Sequence, residues 1–166
     1  MNQLISVIAG FVFLLQGPLI GATIYEVCQD CPLTLIKDAL AIADHGDTVM
    51  VSGGLYKEGN LIIERSITFL GKNDPVLDGE GKGEIVTILA DNVYMSGFIV
   101  QHVGTRYIKD QAGIRLKNAN HCQIVNNRLY DAFFGIYLEH ANHTLLENNQ
   151  VIGKAVQEMS SGNAIH

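Results

Sequence analysis

The sequence predicts an all-β protein: a right-handed single-stranded parallel β-helix with an N-terminal capping α-helix. A phrase recurs, because residues 119–129 ("ANHCQIVNNRL") return as residues 141–151 ("ANHTLLENNQV"). Repeats with a period of about 20 to 50 residues indicate solenoids. Around the phrase, short runs of alternating apolar residues are broken by Asn and Gly, which is typical of strands joined by tight turns.

Length and composition are those of one folded domain with limited charge. The chain has 166 residues, of which 48% are hydrophobic and 17% charged. Its formal net charge of −6 argues against non-specific nucleic-acid binding, which needs a basic face. A neutral sugar, a metal ion and a protein partner all stay open.

The N-terminus predicts export. Residues 1–22 carry no charged side chain, and the apolar run from Leu4 to Leu15 is shorter than the roughly 20 residues that a spanning helix needs. We predict a signal peptide over residues 1–22, with an uncleaved membrane anchor as the alternative. The β-helix domain is predicted over residues 23–166. Further coils are expected beyond it, because "SGNAIH" reads as the start of another strand.

The cap helix is predicted at about residues 34–44 ("TLIKDALAIAD"). Leu35, Leu40 and Ala43 fall on one side of this segment, and Thr34 can cap its start. A solenoid exposes an apolar end that must be covered, so the helix is interpreted as the N-terminal plug.

The repeat predicts which residues stack. When residues 113–129 are aligned with 135–151, eight of 17 positions are identical, and Ile114 matches Ile136. Asn127 and Asn149 are predicted to stack at one inward turn, each amide bonding its neighbour and the turn backbone, since Asn tolerates left-handed turns. Residues 90–100 fit the same pattern one coil earlier. A leucine-rich repeat has a similar period but needs a helical return segment, which is not visible.

Spacing predicts a projecting corner. Segments 101–112 and 152–163 each carry seven more residues than the equivalent corner at 130–134. Insertions at a fixed corner of a solenoid often form its binding face, and aromatic and Arg side chains anchor interfaces. The alternative is ordinary solvated loops with the two Phe side chains tucked beneath them. The predicted partner-binding residues are His102, Arg106, Tyr107, Asp110, Asp131, Phe133, Phe134, Glu158 and Met159.

Cysteine and histidine give only scattered metal candidates. Cys28 and Cys31 form a CxxC that fits a structural disulfide, a soft-metal site or unpaired thiols. His102 with Met159 would suit Cu(I). The metal candidates are therefore Cys28, Cys31, His102 and Met159. His121 and His143 stack as a metal pair or, more simply, as a turn ladder. Cys122 lies on the inward stripe and is predicted to be an inert core thiol.

No catalytic residue is predicted. The alternative to a non-enzymatic protein is a carbohydrate-binding or polysaccharide-cleaving β-helix, which would use clustered carboxylates. The candidates for that chemistry are Asp74, Asp78, Asp110 and Asp131. The sequence offers no carboxylate pair flanked by His and Arg.

The string "FFGIYLEHANHTLLENNQVIG" followed by "EMSSGNAIH" resembles the NosD family, and the likeness extends over residues 25–166. The resemblance implies a periplasmic, non-enzymatic β-helix that assists copper-site maturation of nitrous oxide reductase. It implies ABC transporter subunits and the reductase as partners, and membrane contact only through the transporter. Separately from the resemblance, we predict that the projecting corner docks the transporter, a copper chaperone or the reductase. Copper is a possible ligand, but no ligand residue is carried over from the family.

Overall fold

The computed structural model describes residues 21–104, 110–153 and 162–166. Within these ranges there is one helix, α1 (Ile36–Ile42), and it follows the first strand. The strands are β1 (Ile24–Val27), β2 (Thr48–Ser52), β3 (Leu55–Tyr56), β4 (Leu61–Ile63), β5 (Thr68–Lys72), β6 (Val76–Asp78), β7 (Val86–Ile88), β8 (Tyr94–Ser96), β9 (Ile99–Gln101), β10 (Ala112–Lys117), β11 (Gln123–Val125), β12 (Arg128–Tyr130), β13 (Phe134–Glu139), β14 (Leu145–Glu147) and β15 (Gln150–Ile152). No helix in the described part of the chain is long and apolar enough to cross a membrane.

The strands form three parallel sheets, each running the length of the molecule. Sheet 1 has the order β1-β2-β5-β8-β11-β14, sheet 2 the order β3-β6-β9-β12-β15, and sheet 3 the order β4-β7-β10-β13. Each complete turn of the chain, from β2-β3-β4 to β11-β12-β13, gives one strand to each sheet, and successive coils stack at the usual strand spacing of about 4.8 Å. The predicted parallel β-helix is confirmed, with about five turns.

Apolar columns run through the middle of the stack. In sheet 1, Val49, Phe69, Met95 and Ile124 are in register and all are fully buried. In sheet 3, Ile114 pairs with Ile136 as predicted, and both are fully buried. The repeated apolar residues therefore recur because each coil packs on the equivalent side chains of the preceding coil.

Asn127 and Asn149 stack as predicted. The Asn127 side-chain amide donates to Asn149 Oδ1 at 3.1 Å, and the Asn149 amide donates to the Ile124 carbonyl. The predicted left-handed backbone belongs instead to the preceding residues, Asn126 (φ 55°) and Asn148 (φ 54°). The left-handed residue turns the chain, and the inward-facing amide that follows satisfies the backbone groups which the turn exposes.

The cap helix is confirmed at the N-terminal end, although two of its details were predicted wrongly. It packs against β1, β2 and β4 through Ile36, Ala39 and Ala43, whereas Leu35 is exposed. Thr34 does not cap it. The Glu58 carboxylate accepts from the Ile36 and Lys37 amides at 2.8 and 2.9 Å. A carboxylate from the next coil thus satisfies the helix start.

Candidate functional site

The candidate site is the corner between sheets 2 and 3, which we call the projecting corner: residues 101–112, 130–134 and 152–163. The strand register confirms the predicted extra length, because Val100 pairs with Leu129 while Ala112 pairs with Phe134. In the following coil, Ile165 forms a parallel β-bridge with Ile136. Four predicted partner-binding residues lie outside the described residues: Arg106, Tyr107, Glu158 and Met159.

His102 lies between two carboxylates at this corner. Its Nδ1 is 3.0 Å from both carboxylate oxygens of Asp78, and its Nε2 is 3.7 Å from Asp131 Oδ2. The sequence did not indicate this arrangement of one histidine between two carboxylates. The three residues come from three successive coils, so only the stacking brings them together.

Asp78 is the fixed member of this group. Its residue is 8% exposed, and its carboxylate accepts from the Glu80 amide at 2.8 Å and from the Gln101 side chain at 3.0 Å. Burial acts to raise the pKa of Asp78. The hydrogen bonds from Glu80, Gln101 and His102 outweigh it and hold the pKa below its ordinary value. Asp78 is therefore an ionised acceptor that orients His102.

An aromatic cluster occupies the sheet 3 side of the corner. Phe134 makes edge contacts with Phe133 and Tyr137, at centroid separations of 4.7 and 5.4 Å. The His166 ring lies 4.8 Å from the Tyr137 ring. Phe134 is buried and Phe133 is half-buried. Of the two predicted anchors, Phe133 is thus the more accessible, and Phe134 packs edge-to-face against its ring.

Arg115 ties this cluster to its neighbours, and the sequence did not single it out. Its guanidinium bonds Glu84 at 2.6 Å and Glu139 at 3.1 Å, and it also donates to the Asp110 carbonyl. The same group lies 4.3 Å from the centroid of the Tyr137 ring. Arg115 therefore fixes the C-terminal base of segment 101–112 to the outer face of sheet 3. Asp110 takes part through its backbone.

The remaining carboxylate candidate is elsewhere. Asp74 bonds Arg128 at 2.5 Å on the outside of sheet 2, so it is an ion-pair partner. The four predicted acids consequently do not form one cluster: Asp78 and Asp131 flank His102, and Asp110 and Asp74 belong to separate contacts.

A wide match to a known family decides the relationship of this chain. The pattern described as "Periplasmic copper-binding protein (NosD)" matches residues 45–165, which includes all of the stacked coils after β1 and α1. The chain belongs to the NosD family. Its predicted resemblance is thereby confirmed at the level of the family and its fold.

Other similarities to the NosD chain are more distant. The cell surface glycoprotein of Methanothermus fervidus is 29% identical over 89 residues, which is 53% of this chain and 14% of that protein. A pectin methylesterase, solved in complex with hexasaccharides, matches 82% of this chain and 57% of its own with a TM-score of 0.55. At 13% identity this likeness shows the fold alone. The chain thus spans less than two thirds of either protein.

A NosD chain raises the question of where copper would fit. Cys28 and Cys31 are joined in a disulfide, the first of the three predicted alternatives, so neither offers a thiolate in this state. Cys122 is fully buried, and burial raises the pKa of its thiol, as expected of an inert core residue. Among the described residues, no group of three or more His, Cys, Asp or Glu side chains is placed to hold an ion.

The two stacked histidines form a turn ladder. The rings of His121 and His143 lie 5.0 Å apart and only 8° from parallel. Ring nitrogen lone pairs lie in the ring planes, so parallel stacked rings do not direct them at one ion. Both residues have left-handed backbone, at φ 56° and 54°. Of the three histidines considered as metal ligands from the sequence, His102 is therefore the best placed to bind an ion.

Proposed function

We propose that this protein is an exported, non-enzymatic accessory factor in copper-site maturation of nitrous oxide reductase, and that it acts with an ABC transporter. The observation that carries this proposal is the family match over residues 45–165. The family's description as periplasmic agrees with the export that residues 1–22 predict. The transporter and the reductase are part of the proposal because the sequence resemblance implies them.

The projecting corner is the proposed docking surface. It combines a half-buried phenylalanine with a supporting aromatic layer and charged groups held in ion pairs, and interfaces use such anchors. Side chains that are already fixed lose little conformational entropy on binding. This favours Phe133 as the first contact with a partner.

The maturation role is tested by deleting the gene and measuring copper in the reductase purified from the deletion strain. The expected result is a reductase depleted in copper, restored by the wild-type gene. Full copper loading in the deletion strain would end the proposal. An adjacent reductase gene and ABC transporter genes would support it independently.

The docking surface is tested by Phe133→Ala in a pull-down with the transporter subunits, a copper chaperone and the reductase. Capture of one of these should fall while the thermal melt is preserved. The matched control is Leu145→Ala, which truncates an apolar side chain that is 46% exposed on sheet 1, away from the corner. Equal capture by both variants and the wild type would remove the corner as the interface.

A carbohydrate-binding role is the second candidate, and one observation favours it. Tyr137 and His166 present adjacent rings on the outer face of sheet 3, beside the Arg115 guanidinium. Sugar rings stack on such faces, and the pectin methylesterase of similar fold holds hexasaccharides. Binding of an acidic oligosaccharide that Tyr137→Ala abolishes would favour this role. Release of a reaction product from the oligosaccharide would indicate that the protein is an enzyme.

A further inference from the structure

We propose that His102 and Asp131 form a binding site for a divalent transition-metal ion, with Cu²⁺ as the ion to test. Sequence reasoning placed His102 in a Cu(I) site with Met159, which lies outside the described residues. The described contacts point instead to a nitrogen and oxygen site at the projecting corner.

The backbone places the two ligands at equivalent positions of adjacent coils. Gln101 pairs with Tyr130, so the residues that follow them, His102 and Asp131, occupy the same corner of successive turns. Both have left-handed backbone, at φ 56° and 51°. The 3.7 Å between His102 Nε2 and Asp131 Oδ2 can be spanned by two metal bonds of about 2.0–2.2 Å to one shared ion.

Asp78 prepares His102 for this role. A carboxylate only accepts hydrogen bonds, so the Nδ1 that faces both Asp78 oxygens at 3.0 Å carries the proton. In the neutral ring, which is the form that binds a metal, the lone pair is then on Nε2, which faces Asp131. Metal-binding histidines characteristically donate their other nitrogen to a carboxylate in this way. Gln101 and the Glu80 amide in turn fix Asp78.

The donor set selects the class of ion. Imidazole and carboxylate suit Cu²⁺ and Zn²⁺, whereas Cu(I) favours thiolate and thioether ligands. Because the described residues hold no third protein ligand here, water would fill the remaining positions. The His102 side chain is 49% exposed and that of Asp131 33%, so an ion can reach both from solvent.

The test is Cu²⁺ titration of the EDTA-treated protein, followed by electron paramagnetic resonance. The wild type should bind one Cu²⁺ with nitrogen coupling from a single imidazole. His102→Asn should abolish this signal and Asp131→Asn should weaken binding. Asn suits the left-handed backbone at both positions, so each variant should fold. Asp78→Asn should weaken binding by about 10- to 100-fold, as loss of an orienting partner does.

The matched control removes two exposed histidines from another corner. The double variant His121→Asn/His143→Asn should retain the one-imidazole signal, with circular dichroism checking the fold of every variant. The proposal is overturned if His102→Asn binds Cu²⁺ as the wild type does, or if the double variant loses the signal. The site extends the copper-related part of the proposed function, but it is tested on the purified chain. Its failure would leave the maturation and docking experiments unaffected.

Discussion

The Asn127 side chain forms several hydrogen bonds to backbone groups. It is fully buried, its Oδ1 accepts from the Phe98 amide at 3.1 Å, and its Nδ2 donates to the Val125 and Met95 carbonyls. A buried polar group without a partner costs about 1–3 kcal/mol. One amide therefore satisfies backbone groups in two coils.

We expect Asn127→Ala to lower the free energy of unfolding by about 2–4 kcal/mol, because it leaves the Phe98 amide and two carbonyls without this partner. Urea unfolding followed by circular dichroism measures the change. The control is Asn142→Ala, which removes an exposed amide bonded to Asn120 and should cost less than about 1 kcal/mol. Equal losses in the two variants would contradict the role assigned to Asn127.

Asp78 makes stability depend on pH in a predictable direction. Its pKa in the folded protein is below the ordinary value of 3.8, so the ionised carboxylate contributes its full stability above that value. The contribution is lost as the pH falls through the lower folded pKa. Asp78→Asn, measured in EDTA, should therefore melt below the wild type at pH 7.

The gap between these two melting temperatures should narrow as the pH falls below about 3.8, because the unfolded chain takes up a proton at Asp78 before the folded protein does. Asp30→Asn, at an exposed position, controls for removal of an acid and should melt close to the wild type throughout. A gap that stays constant from pH 7 to pH 3 would show that ionisation of Asp78 does not contribute.

At the scale of the element, the start of α1 distinguishes a local cap from a tertiary one. Thr34 has the right residue type beside the helix, but no side-chain cap bond forms there, and Glu58 accepts from the first amides. We expect Glu58→Ala to lower the free energy of unfolding by about 1 kcal/mol and Thr34→Ala to leave it nearly unchanged. Chemical denaturation of the two variants measures these changes. A larger loss of stability in Thr34→Ala than in Glu58→Ala would indicate that Thr34 caps the helix after all.

The same contrast explains what the sequence could predict. The pairing of Ile114 with Ile136 follows from identical residues in a repeated phrase, and the structure bears it out. The cap by Glu58 could not be predicted, because the chain must wind through a coil before that carboxylate meets the helix. Local patterns therefore identified the elements, and contacts between coils corrected their details.

The candidate site illustrates more clearly how contacts between coils limit prediction from sequence. His102 was identified as a candidate, but its partner Asp78 comes from a coil with a different corner length, so no repeat aligned the two. Arg115 alternates with apolar neighbours in β10 and reads as an ordinary outward residue. It is 8% exposed only because adjacent coils supply Glu84 and Glu139 on either side. Whether these polar residues are buried depends on the strand register, which cannot be derived from the amino-acid composition.

For the whole molecule, the question is whether the stacked coils unfold together. Each coil of a solenoid contacts only its neighbours, so coupling along the stack must pass through the core. That core is continuous, since one cluster of buried residues extends from Val27 and Ile36 at the capped end to Ile136 in β13. We infer that disturbing the cap weakens coils far from it.

Cys122 is the probe for this coupling. It is fully buried beside β11, several coils from α1, and the other two cysteines are joined in a disulfide. A thiol reagent can modify it only when the stack opens. If the coils open as one unit, Glu58→Ala should speed Cys122 labelling by about fivefold, the factor that corresponds to about 1 kcal/mol. Thr34→Ala should label as the wild type does. Unchanged labelling in Glu58→Ala, despite its lower stability, would mean that the capped end opens separately from the coil that holds Cys122.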